Sequence, residues 1–495
     1  MDSDDFNKRL KEIFFPDEKK VKKLNPRLGV DQLADETLLF EIPAISTKRP
    51  RSSEAETGED RLNKLLKKAP SSLTNEEVFR KTAGDFVKMN RPFERHTIPI
   101  ELLDPHFGKF KDNCSVPPEP WSQELLLELT SAACQWYDSE TDRRSAILDV
   151  LNKSGIQMAA ETINHTEYKT DGNCRVVVMP AAIRECKTTT GINSAVFQSV
   201  GYYAQFLNNA KKKIKQSRFP CVLFVDTGTL FGLYGCIWTG KYIHVEPLTP
   251  VYDLTCHSTD EISRDAIASV WNAFKETIRN LESYYDTLVD PPITINLTFP
   301  YPTSYVDETD QVVNFTYLSR IEGNLVFTAQ TNGDPKEKIC IKFTRRYSET
   351  AHRLLADHGY TPQLRRVVPR PGNWLQVVMD YSNYAPLSDA HLNSDEQEKV
   401  RSSVQRIVQV LHKNDIVHGD IREVNILIDK ETLSVQLIDF DWAGTDGQAR
   451  YPRQINTKSV RRPHGASDGK LITKEHDTKM VDFLFDVPIA LLMGN

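Results

Sequence analysis

The alternation of apolar and polar positions divides the chain into stretches of different texture. Residues 1–80 mix charge runs with Pro and Ser ("KKVKKLNP", "STKRPRSSEAETGEDR") and hold no sustained period, which predicts a disordered or loosely helical arm. From 81 to 157 the spacing turns helical. In "WSQELLLELTSAACQWYD", Leu125, Leu126, Leu129, Ala132 and Ala133 share one face. Residues 174–256 carry short β-rich runs ("CRVVVM", "PCVLFVD", "LYGCIW", "YIHVEPL") around one helical stretch at 193–217, the texture of an α/β unit. A long helix follows in "STDEISRDAIASVWNAFKETIRNLESYY", capped by Ser258 or Thr259. The proline-marked "DPPITINLTFPYPTSY" then breaks the chain. The boundary falls near 290–305, giving one domain over 81–290 and another over 300–495.

Beyond it, strand-like "NLVFTAQ" and "KICIKFT" precede a helix around 348–358, then "LQVVMDY" and a long helix. Ser394, with Gln397 three residues on, reads as that helix's capping box. Val400, Val404, Ile407, Val408 and Leu411 form its buried stripe. The helix delivers the chain into "VHGDIREVNILID" at 417–429, and "VQLIDFDW" follows at 435–442. Asp420, Asn425 and Asp439 are then three oxygen-bearing side chains able to converge, a donor set that suits Mg2+ or Mn2+ together with substrate phosphate.

A length of 495 residues exceeds one ordinary core and predicts two or three domains. With 39% hydrophobic and 26% charged residues the chain reads as globular with some disorder. No run approaches the roughly 18 apolar residues of a membrane span, and the acidic start lacks a signal peptide's pattern. An intracellular protein with no membrane partner is expected. The eight cysteines are scattered, without C-x-x-C or zinc spacing, and read as reduced thiols. A net charge of −6 excludes a basic coat but not a local basic groove. "KRPR" at 48–51 fits a nuclear-import signal or a solvated charge run.

The loop at 417–429 resembles the protein kinase superfamily. That family's His-Arg-Asp, four residues, Asn and Asp-Phe-Gly here read His418-Gly419-Asp420-Ile421-Arg422-Glu423-Val424-Asn425, then Asp439-Phe440-Asp441. The resemblance covers about 315–495 and implies a compact bilobal domain that uses ATP and Mg2+ or Mn2+ on a protein Ser/Thr hydroxyl. It makes Asp420 the base, Asn425 and Asp439 metal ligands, Lys342 the phosphate-pairing lysine and Glu349 its partner on the next helix. Met379 and Asp380, in "VVMDYSN", fall in the adenine-receiving hinge, and Asp477 braces the catalytic loop. Asp441 stands where that pattern has glycine, and the chain departs from it elsewhere too. Where a glycine-rich cover is expected, "LSRIEGNLVFTAQ" offers only Gly323. Gly419 replaces the arginine that reads a phosphorylated activation loop. Arg422 replaces a lysine and keeps the charge as a planar fork.

A second constellation lies in "HTEYKTDGNCRVVVMPAAIRECKTTTGINSAVFQSVGYYAQFL", 165–207. Asp171 and Glu185 can share a divalent metal, and Lys187 can orient the water that attacks a phosphodiester. The segment resembles the restriction-endonuclease-like fold, with Asp then Glu-x-Lys on adjacent strands. Gln198 and Tyr202 match the Gln-x-x-x-Tyr helix of its RecB-like branch. Glu161, upstream on a helix, and His165 are further candidates for the metal shell. The plainer alternative makes Glu185 and Lys187 a strand ion pair. Lys211, Lys212, Lys213 and Lys215 line a backbone-tracking nucleic-acid groove, DNA before RNA, or form a solvated helix end. A nuclease-like domain, then a kinase-like one, behind "IPIELLDPHFGKFKDN", resembles Crinkler-type effectors, which implies a toxin-like role, often in a nucleus. The expected fold class is multidomain α/β and α+β, a restriction-endonuclease-like mixed sheet followed by the bilobal domain. The expected function is a metal-dependent nuclease coupled to an ATP-dependent Ser/Thr-type kinase. Its rival is a non-catalytic sensor that binds nucleic acid and nucleotide.

Overall fold

A computed structural model describes residues 57–84, 86–89, 97–188, 191–212, 217–288, 296–321 and 323–486. Helix α1 (Gly58–Leu66) opens on a capping box. Thr57 Oγ1 accepts from Asp60 N at 3.2 Å, and Asp60 returns a bond to Thr57 N at 3.0 Å. After a 3-10 turn at Pro70–Thr74 comes α2 (Glu76–Ala83). Of the expected disordered or loosely helical arm over 1–80, residues 57–80 are helical and packed. Residues 1–56 lie outside those described, but Leu62, Leu65, Leu73 and Phe79 are buried. Their apolar stripe is short and interrupted by charge, which hid its period.

Helices α3 (Ile100–Leu103), α4 (Pro105–Asn113), α5 (Pro120–Ala133), α6 (Glu140–Lys153), α7 (Ile192–Lys211) and α8 (Glu261–Thr287) surround a mixed sheet. Its strands are β1 (Val87–Lys88), β2 (Gly172–Asn173), β3 (Ala182–Lys187), β4 (Cys221–Thr227), β5 (Leu230–Trp238), β6 (Ile243–Pro247) and β7 (Tyr252–Asp253). The order is β1-β6-β5-β4-β3-β2, with β7 on β5. β3 and β4 run parallel, joined by α7 as crossover helix. The predicted face of α5 is buried. "CRVVVM" forms no strand; the chain bends over Val177, Val178 and Met179 and is closed by a bridge between Val176 and Pro180. Helix α8 is capped by Asp260, which accepts from Ser263 N at 3.1 Å, rather than by Ser258 or Thr259.

The second sheet is antiparallel: β8 (Ser304–Val306), β9 (Val312–Arg320), β10 (Val326–Thr331), β11 (Lys338–Thr344), β12 (Leu364–Arg370) and β13 (Trp374–Asp380), ordered β12-β13-β11-β10-β9-β8. Between β11 and β12 lies α9 (Glu349–Asp357). Helix α10 (Ser394–Lys413) buries its predicted stripe. Its capping box is Asn393 with Glu396, one residue before the predicted pair, because Asn393 reaches the Glu396 N–H at 3.0 Å. Short strands β14 (Ala385–Pro386), β16 (Ile426–Ile428) and β17 (Val435–Leu437) form a small sheet. β15 (Ile416–Val417) pairs with β18 (Gly444–Thr445), and α11 (Lys474–Asp482) follows.

The described residues all fall in one unit, Glu56–Asn495. A single apolar core runs from Leu62 to Val378, across the boundary placed near 290–305. Polar contacts reinforce the join: Asp112 Oδ2 accepts from Gly372 N at 2.8 Å, and buried Glu101 meets Lys111 at 2.5 Å and Arg345 at 3.4 Å. No described helix is long and apolar enough to cross a membrane.

Candidate functional sites

Alternation along β11 buries Ile339, Ile341 and Phe343 and turns Lys342 toward the loop after β17. Its Nζ lies 2.7 Å from Asp439 Oδ1 and 2.7 Å from Asp441 Oδ1. Burial works against the ammonium, but the two carboxylates outweigh it and hold its pKa above the ordinary value. Asp439 is held below the usual carboxylate range, since Lys342 overcomes the opposing burial. Asp441 is pushed up to about 6 by burial and, against the pull of Lys342, by Asp439. Its buried Oδ1 meets Lys342 as an ion contact outside hydrogen-bonding geometry. The crowded Asp439 and Asp441 carboxylates, one Asp441 oxygen accepting no hydrogen bond, fit a hard divalent cation.

Asp420 is buried, and its carboxylate is held from three sides. Asn425 Nδ2 and Arg422 Nε donate to Oδ2 at 2.8 and 3.1 Å, and Arg462 Nη1 donates to Oδ1 at 2.8 Å. Asp477, fully buried, accepts from His418 N and Gly419 N, each at 2.7 Å, and so fixes the loop's backbone. Gly419 has φ +83, and a Cβ there would meet Ile472 at 2.7 Å. The missing arginine thus has a steric cause. Phe440 stacks on His352 at 4.9 Å and meets His418 at 5.5 Å.

Other assignments change. Glu349 pairs with Arg353 at 2.9 Å, one helical turn on, while Lys342 takes Asp439 and Asp441. Gly323 serves a turn at φ +78, with nothing within 4 Å of its Cβ position. Met379 is buried in β13. Asp380 donates its N–H to Gln363 O at 2.9 Å, and its carboxylate accepts from Arg365 Nε at 2.6 Å.

In the other half, Asp171, Glu185 and Lys187 come together at β2 and β3. Lys187 Nζ lies 2.5 Å from Glu185 Oε1 and 3.5 Å from Glu140 Oε1. Asp171 accepts from Cys186 N at 3.0 Å and Arg144 Nη1 at 3.1 Å. Glu185 is fully buried, and the Lys187 contact lies off hydrogen-bonding directions, so neither oxygen accepts a hydrogen bond. Burial first, then Asp171, pushes its carboxyl up to about 8, with Lys187 opposing. Gln198 Nε2 donates to Tyr202 Oη at 2.9 Å on α7. The Tyr202 hydroxyl is pushed up by burial and then by Glu185.

Glu140 was missed by the sequence reading. With Asp171 and Cys186 it offers ligand atoms within 4.8 Å of one another. Its helix is anchored by Arg143, which meets Asp226 at 2.5 Å beside the buried Arg184–Asp226 pair. Glu161, by contrast, lies off any helix and is exposed at a polar cavity of about 450 Å³ with Asn164 and Arg175. His165 is exposed in a turn at φ +64. Lys211 is spent on Glu59 at 2.8 Å and over the Trp238 ring at 5.0 Å, so it does not line an open groove. Lys213, Lys215 and "KRPR" lie outside the described residues.

Residues 326–445 match the family model of the RIO domain, an atypical protein kinase family. The C-terminal part of this chain is a kinase-like domain. Over 121 residues the chain is 31% identical to cyclin-dependent kinase-like 5 of Mus musculus and of Homo sapiens. That alignment takes 22% of this chain but only 13% and 12% of those proteins. Among solved structures, the Cydia pomonella granulovirus kinase PK-1 is similar at 21% identity, over 27% of this chain and 53% of that one, with a TM-score of 0.25. Vaccinia related kinase 3 is similar at 13% identity, over 44% and 76%, with a TM-score of 0.29. At these scores neither superposition bears on function.

Proposed function

We propose that the kinase-like domain transfers the γ-phosphoryl group of ATP to a protein Ser or Thr hydroxyl. The observation that carries this reading is the convergence of Asp420 and Asn425 on one braced loop, with Lys342 meeting Asp439 behind them. Lys342 would position the nucleotide phosphates. Asp439, Asp441 and Asn425 Oδ1 would hold Mg2+ or Mn2+, which supplies positive charge against the phosphates. Asp420 would take the acceptor proton, with Asn425 and Arg422 fixing its carboxylate. Incubation with Mg-ATP and a generic protein acceptor tests this. Transfer is expected, with a raised melting temperature that Lys342→Ala weakens. The absence of any nucleotide-dependent melting shift overturns it, and a shift without transfer favours the sensor.

A second reading applies to the mixed-sheet half: metal-dependent cleavage of a phosphodiester, DNA before RNA. The fully buried Glu185 carboxylate, in contact with the Lys187 ammonium and with Asp171 and Glu140 nearby, favours it. These three carboxylates would hold the cation, and Lys187 would orient the attacking water. Plasmid cleavage in Mn2+ should be lost in Glu185→Gln and in Lys187→Ala without loss of fold. Cleavage that survives both substitutions removes this reading.

A further inference from the structure

In residues 450–470, the basic side chains Arg450, Arg453, Lys458, Arg461, Arg462 and Lys470 face a single acid, Asp468, in a chain whose net charge is −6. This segment, between β18 and α11, is built rather than loose. Tyr451, Ile455, Ala466 and Ile472 share a small core with Val417. The Asp468 carboxylate accepts from Gln454 N at 2.7 Å and Ile455 N at 3.0 Å, and Arg450 donates to Gly469 O at 3.0 Å. The one acid is thereby committed to backbone N–H groups. Arg461 pairs at the surface with Asp486, while Arg453, Lys458 and Lys470 are exposed.

Arg462 turns inward. Only 4% of its side chain is exposed; the guanidinium lies over Trp442 at 5.0 Å, and Nη1 reaches Asp420 Oδ1 at 2.8 Å. A carboxylate offers about four lone-pair positions. Asn425 and Arg422 use those of Oδ2, so an acceptor hydroxyl must approach Oδ1, beside Arg462. Whatever carries that hydroxyl lies against one buried guanidinium, whose Nε donates to Asn456 O at 3.3 Å and so ties it to the stretch between Arg453 and Lys458. Acidic neighbours are attracted there and basic ones repelled.

We infer that the phosphate acceptor is an acidic polypeptide, a Ser or Thr flanked by Asp or Glu, selected by Arg462 and the basic segment 450–470. This rests on the phosphotransfer reading above. A nucleic acid is the competing polyanion. The recessed Asp420 favours a single side-chain hydroxyl projecting from a peptide over a backbone that tracks a surface.

The test uses the full chain with Mg-ATP and three peptides of equal length, their Ser flanked by Asp and Glu, by Asn and Gln, or by Lys and Arg. The acidic peptide should exceed the neutral one by about tenfold in kcat/KM at low ionic strength. High salt should narrow the gap. Arg453→Glu with Lys458→Glu should erase the acidic preference, leaving turnover of the neutral peptide and the melting temperature as in the wild type. Equal use of the three peptides overturns the inference and leaves phosphotransfer standing. An acidic preference unchanged in the double variant removes the segment's role. Indiscriminate peptide use, with salt-sensitive oligonucleotide binding lost in the double variant, assigns the segment to nucleic acid instead. Transfer to no peptide, together with no melting shift on Mg-ATP, overturns the phosphotransfer reading itself.

Discussion

His352 on α9 is fully buried, its ring stacked on Phe440 at 4.9 Å, with Nε2 2.8 Å from Pro362 O and Nδ1 2.6 Å from Tyr347 Oη. A carbonyl can only accept, so Nε2 carries the ring proton and Nδ1 accepts from the tyrosine. Burial drives the imidazole pKa down to about 4, against the opposing Pro362 bond. Between 4 and the ordinary 6.5 the unfolded chain binds a proton that the folded chain refuses. Stability present above 6.5 is therefore lost as pH falls toward 4, by about 3 kcal/mol at roughly 1.4 kcal/mol per pH unit. His352→Gln keeps an acceptor and a donor, gives up about 1 kcal/mol of ring stacking and does not titrate. Thermal unfolding of both proteins should place the variant below the wild type at about pH 7.5 and above it at about pH 4.5. Curves that stay parallel across that interval would refute the buried neutral histidine.

Two further substitutions probe the frame of the site. Asp477→Ala strands the His418 and Gly419 N–H groups. It should lower stability by roughly 2–4 kcal/mol and abolish phosphotransfer, read by melting and by transfer to a peptide. Gly108 lies against Pro371, where a Cβ would approach to 2.8 Å. Gly108→Val should cost about 1–3 kcal/mol and separate the melting of the two halves in calorimetry; an unchanged single transition would contradict a rigid join.

The loop at 417–429 could be read from sequence because Asp420, Arg422 and Asn425 lie within one short turn, where the three side chains meet. Asp477 was legible only through the kinase resemblance, which implies a buried aspartate bracing that loop, and its carboxylate accepts from His418 N and Gly419 N. Contacts made across the fold were not. Arg462 reaches Asp420 over 42 positions from a segment without hydrophobic period. Glu349 was assigned to Lys342 from order alone, whereas Arg353, one turn away, competes locally and Asp441 supplies the second carboxylate. Glu161 was expected in the metal shell as an upstream helical residue, but it lies off any helix and in solvent, while α6 brings Glu140 to Lys187. The core that continues past residue 305 was hidden because prolines mark a break in secondary structure, not an end to packing.

The most direct measurement compares γ-phosphate transfer from Mg-ATP by the wild-type chain and by Asp420→Asn, each with its nucleotide-dependent melting shift. Asn keeps the shape of the side chain and removes the charge that receives the proton. Transfer should fall by about 100-fold or more while the melting shift is retained, because Asp420 acts on the acceptor hydroxyl and Lys342 and Asp439 act on the nucleotide. Equal transfer by the two proteins would contradict the account.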